Sequence, residues 1–291
     1  MTWFVFAVIA AFCVSLSSII EKRTLAKTHS IDFAYTLAVI VAVVSVPVFF
    51  FYPLEVLTGK VLLMGYMISV AGTIAFIEVT KGVRHMEISA SAPLFLLSPF
   101  MTATFAFLFL DERLSSLQLC GMALLAIGTY VLETEKLRDF RSFFRHIAGE
   151  HYARLIVFAM FLYALSSVAE RLVFGTWQIP PILFVGLLHM FILLNFILLS
   201  FYYRKPLLRF IPVLRVSWKP FAIIAFLSIA SRVAYAEAVA LTAVGLVVAT
   251  KRSSSLFTTV IGGEMFHDHQ LMRRSVACTI MITGVALLAL K

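Results

Sequence analysis

The sequence predicts an all-α integral membrane protein, and three observations predict it. Hydrophobic residues make up 62% of the 291, against roughly 45–50% in soluble chains. Charged residues make up 13%, about half the usual ~25%. The apolar residues fall in continuous runs near the ~20 residues that a spanning helix needs, not in the ~10-residue alternating segments of a β-barrel. One soluble domain of this length cannot bury so much apolar surface. The composition therefore excludes a soluble enzyme, a disordered chain and a nucleic-acid-binding domain. The net charge of +9 suits basic loops beside anionic lipid.

Ten transmembrane helices are expected, over 2–20, 33–52, 61–80, 86–110, 114–132, 153–174, 181–203, 220–241, 243–263 and 274–290. The first run has no basic residues ahead of it, and its charges (Glu21, Lys22, Arg23) follow it. It therefore reads as a spanning helix, not a cleaved signal peptide. Most connections are short, so neighbouring helices are antiparallel. The fourth run holds Ser89, Ser91, Pro93 and Pro99, and prolines free carbonyls and bend a spanning helix. Between the fifth and sixth runs, residues 133–152 place Leu137, Phe140, Phe144 and Ile147 on one helical face and Arg138, Arg141 and Arg145 on another. That pattern fits an amphipathic helix at the membrane surface, or a solvated linker. Cys13, Cys120 and Cys278 lie in apolar runs with no metal-ligand spacing and read as small hydrophobic residues. His267, Asp268 and His269 read as solvated loop residues, and no metal or cofactor site is expected.

The chain repeats itself. LSSIIEK at 16–22 aligns with LSSVAER at 165–171, ISVAGTIAFIE at 68–78 with LSIASRVAYAE at 227–237, and GMALLAIGTYVL at 121–132 more weakly with ACTIMITGVALL at 277–288. The order is collinear: runs one, three and five against six, eight and ten. A unit with an odd number of crossings returns inverted, so the expected architecture is two inverted five-helix repeats, 1–132 and 153–291, joined by the basic connection 133–152. Connections on one side carry 17 Lys and Arg and the other side 4, leaving aside Arg232, Lys251 and Arg252 within the runs. The positive-inside rule places the richer side in the cytoplasm and both termini outside.

Ionisable residues inside spanning segments are rare, since each costs about 2.5–3.5 kcal/mol at a helix centre on insertion scales. Lys251 and Arg252 sit near the middle of the ninth run, followed by Ser253, Ser254 and Ser255. No residue within a turn neutralises them, so they either line a wet cavity as a site for an anionic group or pair with Glu78, Glu170 or Glu237. Ser254, Ser89 and Arg232 are further substrate-binding candidates. Glu78 and Glu237 are equivalent in the repeats and suit a proton relay or gating pairs; as interfacial anchors they would do neither. Glu21 and Glu170 form a second repeat pair, each beside a base, and being nearer the segment ends they suit anchors more than coupling or gating.

The stretch 92–132 resembles the EamA domain of the drug/metabolite transporter superfamily: Pro99 in a helix, then Glu112 and Arg113, then a helix with the spaced glycines Gly121 and Gly128. The second half repeats this loosely with Gly262, Gly263, Glu264, Arg273, Arg274 and Gly284. The resemblance implies ten helices in two inverted halves around a central cavity formed by segments one, three, four, six, eight and nine. It also implies both termini in the cytoplasm, opposite to the loop charges. The Lys251–Arg252 pair is similar to one in triose-phosphate translocators and nucleotide-sugar transporters, where the pair meets phosphate. This chain departs from them in lacking a lysine in segment four.

The sequence thus reads as a secondary transporter, not an enzyme, that moves a small polar, anionic metabolite by alternating access. It lies multi-pass in the cell (inner) membrane, as a monomer or homodimer, with membrane lipids as surroundings and no nucleic-acid partner. Coupling to a proton or counter-substrate is compatible with the carboxylates. A flippase for an amphiphile on the same fold is the alternative within the class, since 28 Phe offer a lateral lining. A membrane-embedded enzyme is the alternative outside it.

Overall fold

A computed structural model describes residues 1–25, 30–86, 94–133, 150–203, 206, 210–261 and 271–290. Every regular element among them is a helix. Six stretches are long and apolar enough to cross a membrane: α1 (Thr2–Leu25), α2 (Ser30–Ser45) with the turn of helix Val48–Phe51 that continues it, α3 (Gly59–His85), α6 (His151–Gly175), α7 (Pro181–Tyr202) and α8 (Phe210–Leu241). The apolar helices α4 (Leu97–Leu110), α5 (Ser116–Glu133) and α11 (Leu271–Ala289) accompany them. The ninth run is two pieces, α9 (Val244–Lys251) and α10 (Ser254–Ile261). Ser89 and the loop histidines lie outside the described residues, as does nearly all of the connection 133–152.

The helix boundaries follow local chemistry. Pro181 opens α7 at a position whose N–H needs no partner. Ser115 and Gln118 cap α5 reciprocally: Gln118 N–H donates to Ser115 Oγ at 3.3 Å and Ser115 N–H to Gln118 Oε1 at 2.9 Å. The bends have identifiable causes as well. The backbone leaves helical geometry at Ser217, one turn before Pro220, within α8. Helical residues Leu94 and Phe95 are separated from α4 by a turn at Leu96, and Pro99 sits in the first turn of α4. The missing Pro99 N–H cannot close the bond to Phe95, which accounts for the interruption.

Small residues and hydrogen bonds join the helices, as expected where lipid offers no hydrophobic drive for helix association. Ala7, Ala10 and Ala11 of α1 are fully buried, and Ser231 Oγ of α8 donates to Ala10 O at 3.0 Å. Asn195 on α7 donates to Ser69 Oγ (3.2 Å) and Thr73 Oγ1 (3.1 Å) on α3. α5 and α11 meet at Gly121, Gly128 and Gly284 with their backbones in contact. The largest apolar cluster gathers Phe174, Phe184, Val239, Val244 and Val247, with Trp3 against it. It fills the end of the bundle that holds Met1, called the N-terminal face below.

Candidate substrate site

The helix break in the ninth run creates the centre of the site. At the end of α9 the backbone tightens: Arg252 N–H donates to Ala249 O and Ser253 N–H to Thr250 O, both at 3.0 Å. Ser253 Oγ donates to Thr250 O at 2.7 Å and Ser255 Oγ to Arg252 O at 3.2 Å. The serines following the two cations thus take up carbonyls that a continuous helix would use itself. Lys251 is the last residue of α9 and projects from this break. Discontinuous helices of this kind recur at transporter midplane sites.

Lys251 lines a cavity of about 230 Å³ together with Val14, Ser17, Ser18 and Glu21 of α1 and Ser228, Ser231 and Arg232 of α8. Its Nζ lies 4.6 Å from the Tyr235 ring centroid. Arg232 Cζ lies 5.4 Å from the same ring centroid, so one aromatic ring serves two cations. The Tyr235 hydroxyl donates to Ser167 Oγ of α6 at 3.0 Å, which fixes the ring. Arg232 Nη2 donates to Glu170 Oε1 of α6 at 2.5 Å. Glu170 is 2% exposed, and its Oε2 has no hydrogen-bond partner among the described residues. Lys251 likewise makes no hydrogen bond or ion pair among the described residues; its contact is with the ring. On the opposite wall, Ser17 Oγ donates to Glu21 Oε1 at 2.5 Å.

The residues singled out in the sequence separate into groups. Lys251, Arg232 and Glu21 share the cavity, and Glu170 stands directly behind Arg232. Glu170 is thus buried in an ion pair and not an interfacial anchor. Arg252 points elsewhere: it lies over the Phe95 ring at 5.9 Å and, with Ser254, Ser255, Leu96 and Thr129, lines a second cavity of about 80 Å³. Neighbouring residues on a helix face different directions, and the break widens the divergence. Glu78 pairs with Lys81 on its own helix at 2.8 Å. Glu78 and Glu237 are not among the described residues that line the larger cavity. Tyr235 was not legible as a site residue, because an aromatic in an apolar run looks like core.

Beyond the cavity, on the N-terminal face, a second polar arrangement joins four helices. Arg171 Nε donates to Glu112 Oε1 at 2.6 Å, and Arg171 Nη1 donates to Val239 O and Ala240 O, each at 2.9 Å. Glu112 Oε2 accepts the Val244 N–H at 2.9 Å. Glu112 follows Asp111, whose left-handed backbone (φ 51°) ends α4, a conformation Asp tolerates better than most residues.

Comparison with known proteins agrees with this architecture. Residues 1–134 match the sequence model of the EamA-like transporter family. One solved crystal structure, described only as that of a protein, superposes with a TM-score of 0.72 over 99% of this chain and 95% of its own, at 13% identity. Among curated proteins, none matches. The first part of the chain is thus similar to EamA-like transporters, and the long apolar helices are those of a multi-pass membrane protein.

Proposed function

We propose that this protein is a secondary transporter of a small, polar, anionic metabolite. Ten crossings in two inverted five-helix repeats would rock around the cavity at Lys251. The supporting observation is Lys251 itself: an ammonium on a polar cavity, set against the Tyr235 ring and in no ion pair with a carboxylate among the described residues, although Glu21 lines the same cavity. An unpaired cation at this depth is costly, and an anionic group of a solute is the partner that relieves it. Arg232 offers a planar fork beside it. Glu170 already neutralises Arg232, so a substrate anion competes with Glu170 for that fork. A displaced Glu170, or Glu21 across the cavity, is then the group that takes a proton or counter-substrate.

The cavity's size and lining favour a metabolite over an amphiphile. Its lining is serine, charge and one valine. A volume of about 230 Å³, against about 30 Å³ per liquid water, fits a small solute. The test is a thermal-shift screen of purified protein against small carboxylates, phosphates and their neutral analogues. A ligand at a hundred times its Kd adds about 2.7 kcal/mol of apparent stability. At least one anion is expected to raise the transition while its neutral analogue does not. Stabilisation by neutral or cationic solutes alone would overturn the anion assignment.

The loop charges support a cavity on the cytoplasmic side. It is lined by the C-terminal half of α1, whose last turn carries Lys22 and Arg23. Single cysteines at Ser142→Cys and Lys291→Cys, probed with an impermeant thiol reagent on intact cells, are expected to show protection at 142 and labelling at 291. The reverse pattern would place both termini in the cytoplasm.

A further inference from the structure

We infer that the Glu112–Arg171 pair is the gate that closes the N-terminal face, and that it is linked mechanically to the charge pair at the cavity. This inference rests on the transport reading above.

The pair satisfies backbone groups that no helix can satisfy for itself. The first N–H groups of a helix and its last carbonyls are orphaned. Glu112 takes the Val244 N–H at the start of α9, and Arg171 takes the Val239 and Ala240 carbonyls at the end of α8. The signs also suit the helix dipoles, with a carboxylate at an N-terminus and a guanidinium at a C-terminus. Two side chains therefore tie the α8–α9 corner to α6 and to the end of α4. The seam crosses the proposed halves: Glu112 belongs to 1–132, and Arg171, Val239 and Val244 belong to 153–291. Alternating access requires some contact between halves at each face to be made and broken, and polar contacts that water can replace suit that role. Both side chains retain some exposure, 23% for Arg171 and 13% for Glu112.

The gate stands one layer from the cavity. Val239 lies seven residues beyond Arg232 on α8, and Val244 lies seven residues before Lys251 on α9, about 10 Å in each case. Val239, Val244 and Val247 of the apolar cluster fill that layer. Glu170 and Arg171 are consecutive on α6: one pairs with Arg232 at the cavity, the other with Glu112 at the gate. A movement of α6 therefore strains both pairs at once. An anion that takes Arg232 from Glu170 frees α6 to turn, and the same turn draws Arg171 from Glu112.

The test places a reporter cysteine at Ser228→Cys, on the cavity wall, in a variant whose Cys13, Cys120 and Cys278 are alanine. Labelling by an impermeant thiol reagent is measured from each face, in right-side-out and inside-out vesicles. With the gate intact, labelling is expected from the face opposite Met1. Glu112→Gln and Arg171→Gln are expected to raise labelling from the N-terminal face about tenfold or more, with Arg171→Lys intermediate. Should those variants fail to fold, Val244→Pro removes one hydrogen bond at a helix-start position where proline is tolerated, and is expected to raise the same labelling by a smaller factor. Variants that melt earlier but label as the parent does would show a static staple and overturn the gate while leaving the cavity reading intact. A cysteine labelled from neither face, in parent and variants alike, would overturn both.

Discussion

Replacing Lys251 with methionine is expected to weaken binding of the transported anion ten- to a hundredfold while leaving the protein folded. Methionine keeps the length and apolar stem of the side chain and removes only the charge. A charge-assisted hydrogen bond is worth about 1.5–3 kcal/mol, and each 1.4 kcal/mol is a factor of ten in affinity. Because Lys251 has no ion-pair partner among the described residues, its loss breaks no ion pair, and the buried Glu170 keeps Arg232. Arg232 would be a poorer probe, since removing it leaves Glu170 buried and unpaired, at a cost of about 3–5 kcal/mol in stability. Arg252 provides the control. It lines the other cavity, so Arg252→Gln is expected to change the affinity by less than about threefold. Calorimetric titration of each variant with an anion found by the thermal screen measures both. Equal affinity in parent and Lys251→Met would remove the anion site from Lys251.

The second large effect concerns folding. Gly284→Ala is expected to destabilise the protein by about 1–3 kcal/mol, the usual range for overpacking. A Cβ at Gly284 would lie 2.7 Å from Leu125 N and 2.8 Å from Gly121 O, and one at Gly121 would lie 2.8 Å from Gly284 O. These are backbone atoms, so no rotamer change relieves the clash and α5 and α11 must separate. Gly72 on α3 is the matched control, because a Cβ there meets nothing within 4 Å. Gly72→Ala is expected to be neutral or slightly stabilising, since alanine favours helix over glycine. Thermal unfolding in detergent compares the two. Equal behaviour of Gly284→Ala and Gly72→Ala would show that the helices of this seam part without cost.

What the sequence made legible, and what it hid, follows from the range of each interaction. Apolar runs are local, and the long helices α1, α3, α6 and α7 lie close to where those runs lie. The glycines at 121, 128 and 284 stand out locally as well, and they mark the place where two backbones touch. The break between α9 and α10 is invisible to hydropathy, because its flanks are as apolar as any continuous span; only the serine run hints at it. Adjacency misled most at Lys251 and Arg252, which look like a pair in sequence and line separate cavities. The partners that organise the site lie far apart in the chain. Arg232 and Glu170 are 62 residues apart and Arg171 and Glu112 are 59, distances over which no periodicity reports contact. The repeat expected from the sequence matches Glu21 with Glu170, but burial of the second beside Arg232 depends on how α6 meets α8.

The interrupted ninth span also sets how displacement is distributed through the molecule. An unbroken helix is a stiff strut, and a tilt imposed at one end reappears at the other. Here the strut has a joint at Arg252 and Ser253, leaving two levers of about 12 Å each. The first lever, α9, is fastened at its far end to Glu112 through Val244. The second, α10, rests against α1, with Thr258 Oγ1 at 3.0 Å from Ser15 Oγ. Lys251 sits at the joint, where either lever can swing with little movement of the other. On the transport reading proposed above, the cation would be a pivot: it would hold its position while the ground on each side of it shifts, and a solute bound there would not need to travel far to change sides.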